Sequence, residues 1–207
     1  MTRYGMAVDL NRCFGCHTCA TACMIANNLP QDLMFLRVHT VGGEEIDTAA
    51  GTFPNCELSY MPVNCQHCQN ALCVDVCPTG ATSRGEDGII SVDGDLCIGC
   101  ESCIKACPFE GIRTLLAVEP TYYLDLAVGE ADAPIHKKGT VEKCTFCKNL
   151  IERNEVPACM QLCPGRARYW GDLDDPGSEV SKAIEGREHT FLDNNSGGTN
   201  PNIYYLR

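Results

Sequence analysis

Sixteen of the seventeen cysteines in this chain stand in four quartets: Cys13, Cys16, Cys19 and Cys23; Cys65, Cys68, Cys73 and Cys77; Cys97, Cys100, Cys103 and Cys107; and Cys144, Cys147, Cys159 and Cys163. Four cysteine thiolates hold one [4Fe–4S] cluster, and C-x2-C-x2-C-x3-C-P is the bacterial ferredoxin run for it. Cys97 to Pro108 reads C-I-G-C-E-S-C-I-K-A-C-P, a full match. Proline also follows the fourth cysteine in two other quartets, at Cys77-Pro78 and Cys163-Pro164. The expected cofactors are therefore four [4Fe–4S] clusters, with iron held through these sixteen cysteines, in a chain that carries electrons.

Two other uses of cysteine compete. A cysteine density this high also occurs in disulfide scaffolds of short secreted chains. Tight C-x2-C groups repeated along a chain are instead the spacing of metal sites. Four all-thiolate zinc sites would need sixteen cysteines too, but those sites use two separated C-x2-C pairs rather than a fourth cysteine followed by proline. Cys56 belongs to no quartet and is expected to be a free buried thiol. His17 and His67 lie inside cluster loops, where no ligand position is vacant, and are expected on the loop surface.

The formal net charge is −11. Each oxidised cluster with its thiolates adds −2, so four bring the total to about −19. Such a surface excludes nucleic acid as a partner. No run approaches the roughly 18 apolar residues of a membrane-spanning helix. The start, Met1-Thr2-Arg3-Tyr4-Gly5, has neither an apolar signal core nor a twin arginine. The expected location is the cytoplasm, or an exported or membrane-associated site reached only together with a signal-bearing partner. No G-x-S-x-G, phosphate loop or H-E-x-x-H is present, so no catalytic residues are assigned.

The quartets form an internal repeat. Tyr4 to Leu10 reads as a strand entering the first, and Ala20 to Asn27 as a helix leaving it. Between quartets two and three, Thr82-Ser83-Arg84 and Ile89-Ile90-Ser91-Val92 flank Asp87-Gly88, a hairpin signal. Brief helices are expected after each proline-capped fourth cysteine. His39 to Tyr60 and Thr121 to Gly139 read as a surface hairpin or loop and an irregular connector.

In a two-cluster ferredoxin the fourth cysteine of each run ligates the other cluster. On that rule Cys65, Cys68 and Cys73 share a cluster with Cys107, and Cys97, Cys100 and Cys103 share one with Cys77. The outer quartets lack neighbours and are expected to cross with each other: Cys13, Cys16 and Cys19 with Cys163, and Cys144, Cys147 and Cys159 with Cys23. The fold expected is α+β: two interleaved bacterial-type 2[4Fe–4S] ferredoxin-like modules with small antiparallel hairpins, short helices and long connecting loops. Residues 1–60 with 121–175 make the outer module, 61–120 the inserted one, and 176–207 a C-terminal extension packing on a partner or on a module. Gly15 and Gly99 sit in tight loops where the backbone approaches a cluster. Backbone N–H groups of the C-x2-C loops are the expected donors to sulfur. Arg12, Lys105, Lys143, Lys148, Arg166 and Arg168 lie near ligands in sequence, where a cation raises a cluster's potential.

Tyr4 to Cys13 (Y-G-M-A-V-D-L-N-R-C), Val141 to Cys147 (V-E-K-C-T-F-C), Gly171 to Pro176 (G-D-L-D-D-P) and Asn202 to Leu206 (N-I-Y-Y-L) resemble the four-cluster iron–sulfur subunit of complex iron–sulfur molybdoenzymes. This is the family of the dimethyl sulfoxide, polysulfide and respiratory arsenate reductase B subunits, and the likeness runs nearly end to end. It implies an electron-transfer subunit, not catalytic alone, of an anaerobic respiratory-type oxidoreductase. It also implies a large partner holding a molybdenum or tungsten bis-pterin cofactor that this chain lacks. A membrane-anchor or other electron-donor subunit is a further partner that fits. Some relatives replace one cysteine of the third quartet by tryptophan, whereas here all four are present. The alternative function is a free-standing polyferredoxin shuttle.

Anaerobically prepared protein should contain about sixteen irons and as much acid-labile sulfide per chain, with broad visible absorption bleached by dithionite. A colourless zinc protein would remove the cluster reading.

Overall fold

The strand β1 (Tyr4–Asp9) is buried from Gly5 onward, because it is paired on both edges and covered on both faces. The computed structural model describes residues 2–192 and 198–207; Met1, and 193–197 within the C-terminal stretch, lie outside it. β1 runs antiparallel to β10 (Arg168–Asp172), with Met6 opposite Trp170. It runs parallel to β12 (Ile203–Leu206), with Met6 opposite Ile203. The sheet order is β10, β1, β12, β11, where β11 is His189–Thr190. A strand so enclosed has to be apolar on both faces, and Met6-Ala7-Val8 supplies this.

One face of β1 packs under the helix α6 (Glu179–Ile184), where Ala7 meets Val180 and Leu206. The Ser178 hydroxyl caps that helix, accepting from the Ser181 N–H at 3.1 Å, as an N-cap serine should. From the other face Met6 and Val8 reach the main core, which they share with Cys19, Cys23, Cys159, Phe146 and Trp170. Thiols of the first and fourth quartets thus share a core beneath the strand. The C-terminal residues 203–206 are a strand of this sheet.

The remaining elements are short, giving an α+β chain. The longest helix is α1 (Thr18–Ala26, nine residues). The helices α2 (Leu72–Asp75), α3 (Ser102–Lys105) and α5 (Ala158–Gln161) each carry the third cysteine of a quartet and end just before the fourth. The expectation that helices follow the fourth cysteine is therefore corrected. The proline after it cannot donate and disfavours helix in the residue before it, so it ends the helix rather than starting one. The predicted hairpin forms as β6 (Thr82–Arg84) and β7 (Ile90–Val92), closed by the Gly85 N–H to the Ile89 carbonyl at 2.9 Å. The short pair β8 (Thr114–Leu115) and β9 (Val141–Glu142) leads into the last quartet, ahead of α4 (Lys148–Glu152).

The loop at 39–60 is a two-stranded ribbon, β2 (Leu36–Thr40) with β5 (Tyr60–Asn64), tipped by a hairpin of β3 (Ala50–Thr52) and β4 (Asn55–Glu57). Cys56 sits in β4 and is exposed, which corrects the expectation of a buried thiol. A two-stranded tip with no layer above it leaves both faces in water.

Residues 121–139 carry no helix or strand and are tethered by polar contacts. The Gln31 N–H donates to the Thr121 carbonyl at 2.7 Å. Arg153 pairs with Glu130 and Asp132 at 2.6 Å each. Buried His136 places Nδ1 3.2 Å from Glu142 Oε2 and Nε2 3.0 Å from the Asn27 carbonyl. Burial alone would lower its pKa, but Glu142 and the Asn27 carbonyl outweigh this, and the net shift is upward. A raised imidazole pKa stabilises the fold below the ordinary value near 6.5, and that contribution is lost as pH rises through the folded value. Amide exchange over residues 122–136, corrected for intrinsic rates, should therefore accelerate as pH climbs past the ordinary imidazole range. His136→Gln should abolish that dependence.

Candidate metal centres

Cysteines from different quartets converge. Cys13, Cys16 and Cys19 line a cavity together with Cys163, walled by Val8, Val38 and Pro62. Cys144, Cys147 and Cys159 line a second with Cys23, beside Phe35, Leu36 and Phe146. Cys97, Cys100 and Cys103 line a third with Cys77, beside Ala81 and Val141. Cys65, Cys68 and Cys107 gather against Phe109 and Ile112. Charge on Cys65, Cys73 and Cys107 acts on Cys68. A broad cleft between Asn28 and the 122–136 loop, by contrast, is lined by no cysteine.

All seventeen cysteines are free thiols, so no disulfide framework exists. Among the described residues no three His, Cys, Asp or Glu side chains stand together as a site for a single ion. Four thiols spaced around an apolar cavity fit a larger polynuclear group.

One backbone feature recurs in every quartet. The residue just before the second cysteine has positive φ: Gly15 at 72°, His67 at 44°, Gly99 at 66° and Phe146 at 56°. This left-handed turn is easy for glycine and costly for bulky residues. The two bulky ones stack on each other, ring centroids 3.7 Å apart and planes 19° off parallel. His67 is fully buried, not on the loop surface as its position suggested. Its Nδ1 accepts from the Ile90 N–H at 3.1 Å. Burial, reinforced by Lys143 and Arg113, lowers its pKa well below normal, so it is neutral.

Burial also governs the thiols. It pushes Cys68, Cys144 and Cys159 up to about 12 and Cys107 to about 11, helped by neighbouring sulfurs. Such thiols ionise only when a metal displaces the proton. Cys77 differs: it is half-buried, and burial that would raise it is outweighed by donors from Thr82 and Thr79, which bring it down to about 7.

Donors to sulfur come both from the tight loops and from outside them. Within the loops, Cys144 accepts from the Phe146 N–H at 3.4 Å and Cys13 from the Gly15 N–H. Cys77 and Cys163 accept from Thr82 and Ala167 at 3.3 Å, beyond the proline turns. Cys97 accepts from Val141 at 3.5 Å. Side chains invisible to spacing arguments add more. Asn27 Nδ2 faces Cys23 at 3.6 Å and Cys147 at 3.8 Å, and Asn64 Nδ2 donates to Cys144 at 3.6 Å. Arg113 Nη2 donates to Cys73 at 2.9 Å. Of the six cations chosen from sequence, only Lys143 and Arg168 are buried beside sulfur. Arg12, Lys105 and Arg166 are exposed, and half-buried Lys148 pairs with Asp87 at 3.7 Å.

Residues 56–117 and 89–164 each match a 4Fe-4S dicluster domain family, and residues 10–23 match a 4Fe-4S binding domain family. The chain is 43% identical to a protein named as the iron–sulfur B subunit of a dimethyl sulfoxide reductase in Halobacterium salinarum, with 100% of this chain and 79% of that one aligned. It is 35% identical to the arsenate respiratory reductase iron–sulfur subunit ArrB of a Shewanella species, over 99% and 96% of the two chains. It is 36% identical to the selenate reductase B subunit of Mesobacillus selenatarsenatis, over 97% and 70%.

The glycines of the repeated turn give a graded test. A Cβ on Gly15 would lie 2.4 Å from the Tyr60 ring, and one on Gly99 would lie 2.5 Å from the Gly139 carbonyl oxygen. Both positions also carry left-handed strain, on the order of 1–3 kcal/mol for a side chain. A ring can swing aside and a backbone carbonyl cannot. Gly99→Ala should therefore lower the melting temperature and iron content more than Gly15→Ala, measured by calorimetry and iron assay.

Proposed function

The chain belongs to the family of iron–sulfur B subunits of respiratory reductases, and from that premise we propose that it holds four [4Fe–4S] clusters in line as the electron relay of a molybdenum or tungsten bis-pterin oxidoreductase. It is an electron-transfer subunit and is not catalytic alone. The ligand sets proposed are Cys13, Cys16, Cys19 and Cys163; Cys144, Cys147, Cys159 and Cys23; Cys65, Cys68, Cys73 and Cys107; and Cys97, Cys100, Cys103 and Cys77. Each cluster, when bound, takes up and returns a single electron. The observation that carries this reading is the lining of three cavities by three cysteines of one quartet and the fourth of another. It supports two interleaved modules: residues 1–60 with 121–175 outside, and 61–120 inserted.

Proximities between groups support a linear order. Charge on Cys19 acts on Cys159, tying the first set to the second. Cys144 packs against Cys65, tying the second to the third. Arg113, bonded to Cys73, is acted on by Cys103, tying the third to the fourth. Of the sixteen thiols only Cys16 and Cys100 are exposed, one in each terminal set. Phe14 and Ile98 stand exposed beside them. Apolar surface around an open ligand suits a docked redox partner at each end: the catalytic subunit at one, an anchor or other electron-donor subunit at the other. Among the described residues no helix is long and apolar enough to cross a membrane.

Anaerobic purification from the native host should yield this chain with a large molybdenum- or tungsten-containing subunit. Cys163→Ser should remove the cluster of the Cys13 set and leave three, read as a loss of about four irons of sixteen and of one paramagnetic signal. A chain that always purifies as a partnerless monomer would instead be a free-standing shuttle.

A further inference from the structure

We infer that Arg168, Lys143 and Arg113 are the built-in counter-ions of the relay, one at each of its three junctions, each raising the reduction potentials of the two clusters it lies between. The inference rests on the four-cluster reading above and adds to it a means of control.

The placement is regular. Arg168 is 3% exposed; it lines the Cys13 cavity, and its Nη1 lies 3.8 Å from Cys159 Sγ of the second set. Lys143 is 3% exposed, with Nζ donating to the Cys144 carbonyl at 2.7 Å and to the Ile90 carbonyl. Cys144 belongs to the second set and packs against Cys65 of the third. Arg113 is 5% exposed and bonds Cys73 of the third set, and Cys103 of the fourth is among the sulfurs whose charge it feels.

Burying a cation costs a great deal unless an anion meets it. Among the described residues none of the three forms an ion pair with a carboxylate. Arg113 Nη1 and Arg168 Nη2 are buried donors with no acceptor at all. The negative groups facing these cations are ligand sulfurs. Charge on Cys159 and Cys19 acts on Arg168. Burial, joined by the like charge of Arg113, lowers the pKa of Lys143, and charge on Cys65, Cys144 and Cys73 opposes that shift and favours the cation. A cluster with its four thiolates gains one negative charge when it accepts an electron, so a fixed cation nearby favours the reduced form. A cation between two clusters favours reduction of both and screens their repulsion.

The test is a potentiometric titration with dithionite, followed by electron paramagnetic resonance, of the complex carrying Arg168→Met, Lys143→Met or Arg113→Met. Charge-keeping partners are Arg168→Lys, Lys143→Arg and Arg113→Lys, with exposed Lys105→Gln as control. Each neutral variant should lower two of the four midpoint potentials, by a roughly ten-fold change in the reduced-to-oxidised ratio at fixed poise, equivalent to about 59 mV. Lys143→Met should move one signal also moved by Arg168→Met and one also moved by Arg113→Met, while those two variants share none. Charge-keeping variants and the control should retain most of the wild-type pattern. A uniform shift of all four signals, a shift of only one, no shift, or an equal effect of Lys105→Gln would overturn the inference. If a neutral variant loads poorly, full iron in its charge-keeping partner supports the inference, and equal loss in both opposes it. Fewer than four signals in the unaltered protein would instead refute the four-cluster reading.

Discussion

A thiolate buried away from water has to be met by something positive, and the interior of this chain is arranged around that requirement. Burial holds the inner thiols protonated until a metal takes the place of the proton. Around them the fold supplies backbone N–H groups just past the proline turns after Cys77 and Cys163, amide side chains at Asn27 and Asn64, and guanidinium groups at Arg113 and Arg168. Short helices, two-stranded hairpins and a few long-range strand pairs suffice because their task is to aim these groups rather than to enclose a large apolar core.

The repeat is regular in backbone and divided in chemistry. All four quartets bend left-handed before the second cysteine. The two quartets with an exposed thiol, Cys16 and Cys100, make that bend with glycine. The other two make it with His67 and Phe146, whose stacked rings fill the space between buried sites. Strain at two bulky residues is offset by a contact that joins the halves of the molecule. A glycine there would relieve the strain and leave a gap at the centre.

Cysteine spacing alone carried much of this arrangement. The C-x2-C-x2-C-x3-C-P run pointed to 4Fe-4S domains, and the rule that fourth cysteines cross led to the ligand sets proposed above. The Asp87-Gly88 turn and the apolar Met6-Ala7-Val8 likewise announced a hairpin and a strand. What stayed hidden depended on distance along the chain. Arg113 and Asn64 look like any loop residues until folding brings them to Cys73 and Cys144. His67 read as a surface residue because it lies in a cluster loop with no vacant ligand position, and its actual neighbour, Phe146, is 79 residues away. Cys56 read as buried because free cysteines usually are, whereas its hairpin projects beyond any covering layer.

β1 pairs with β10 and β12, both of which lie far beyond it along the chain. Quartets two and three lie between these strands in sequence, with the β6–β7 hairpin joining them. In a chain growing from its N-terminus, β1 therefore waits unpaired while this middle region is made. The hairpin can close before the sheet around β1 does.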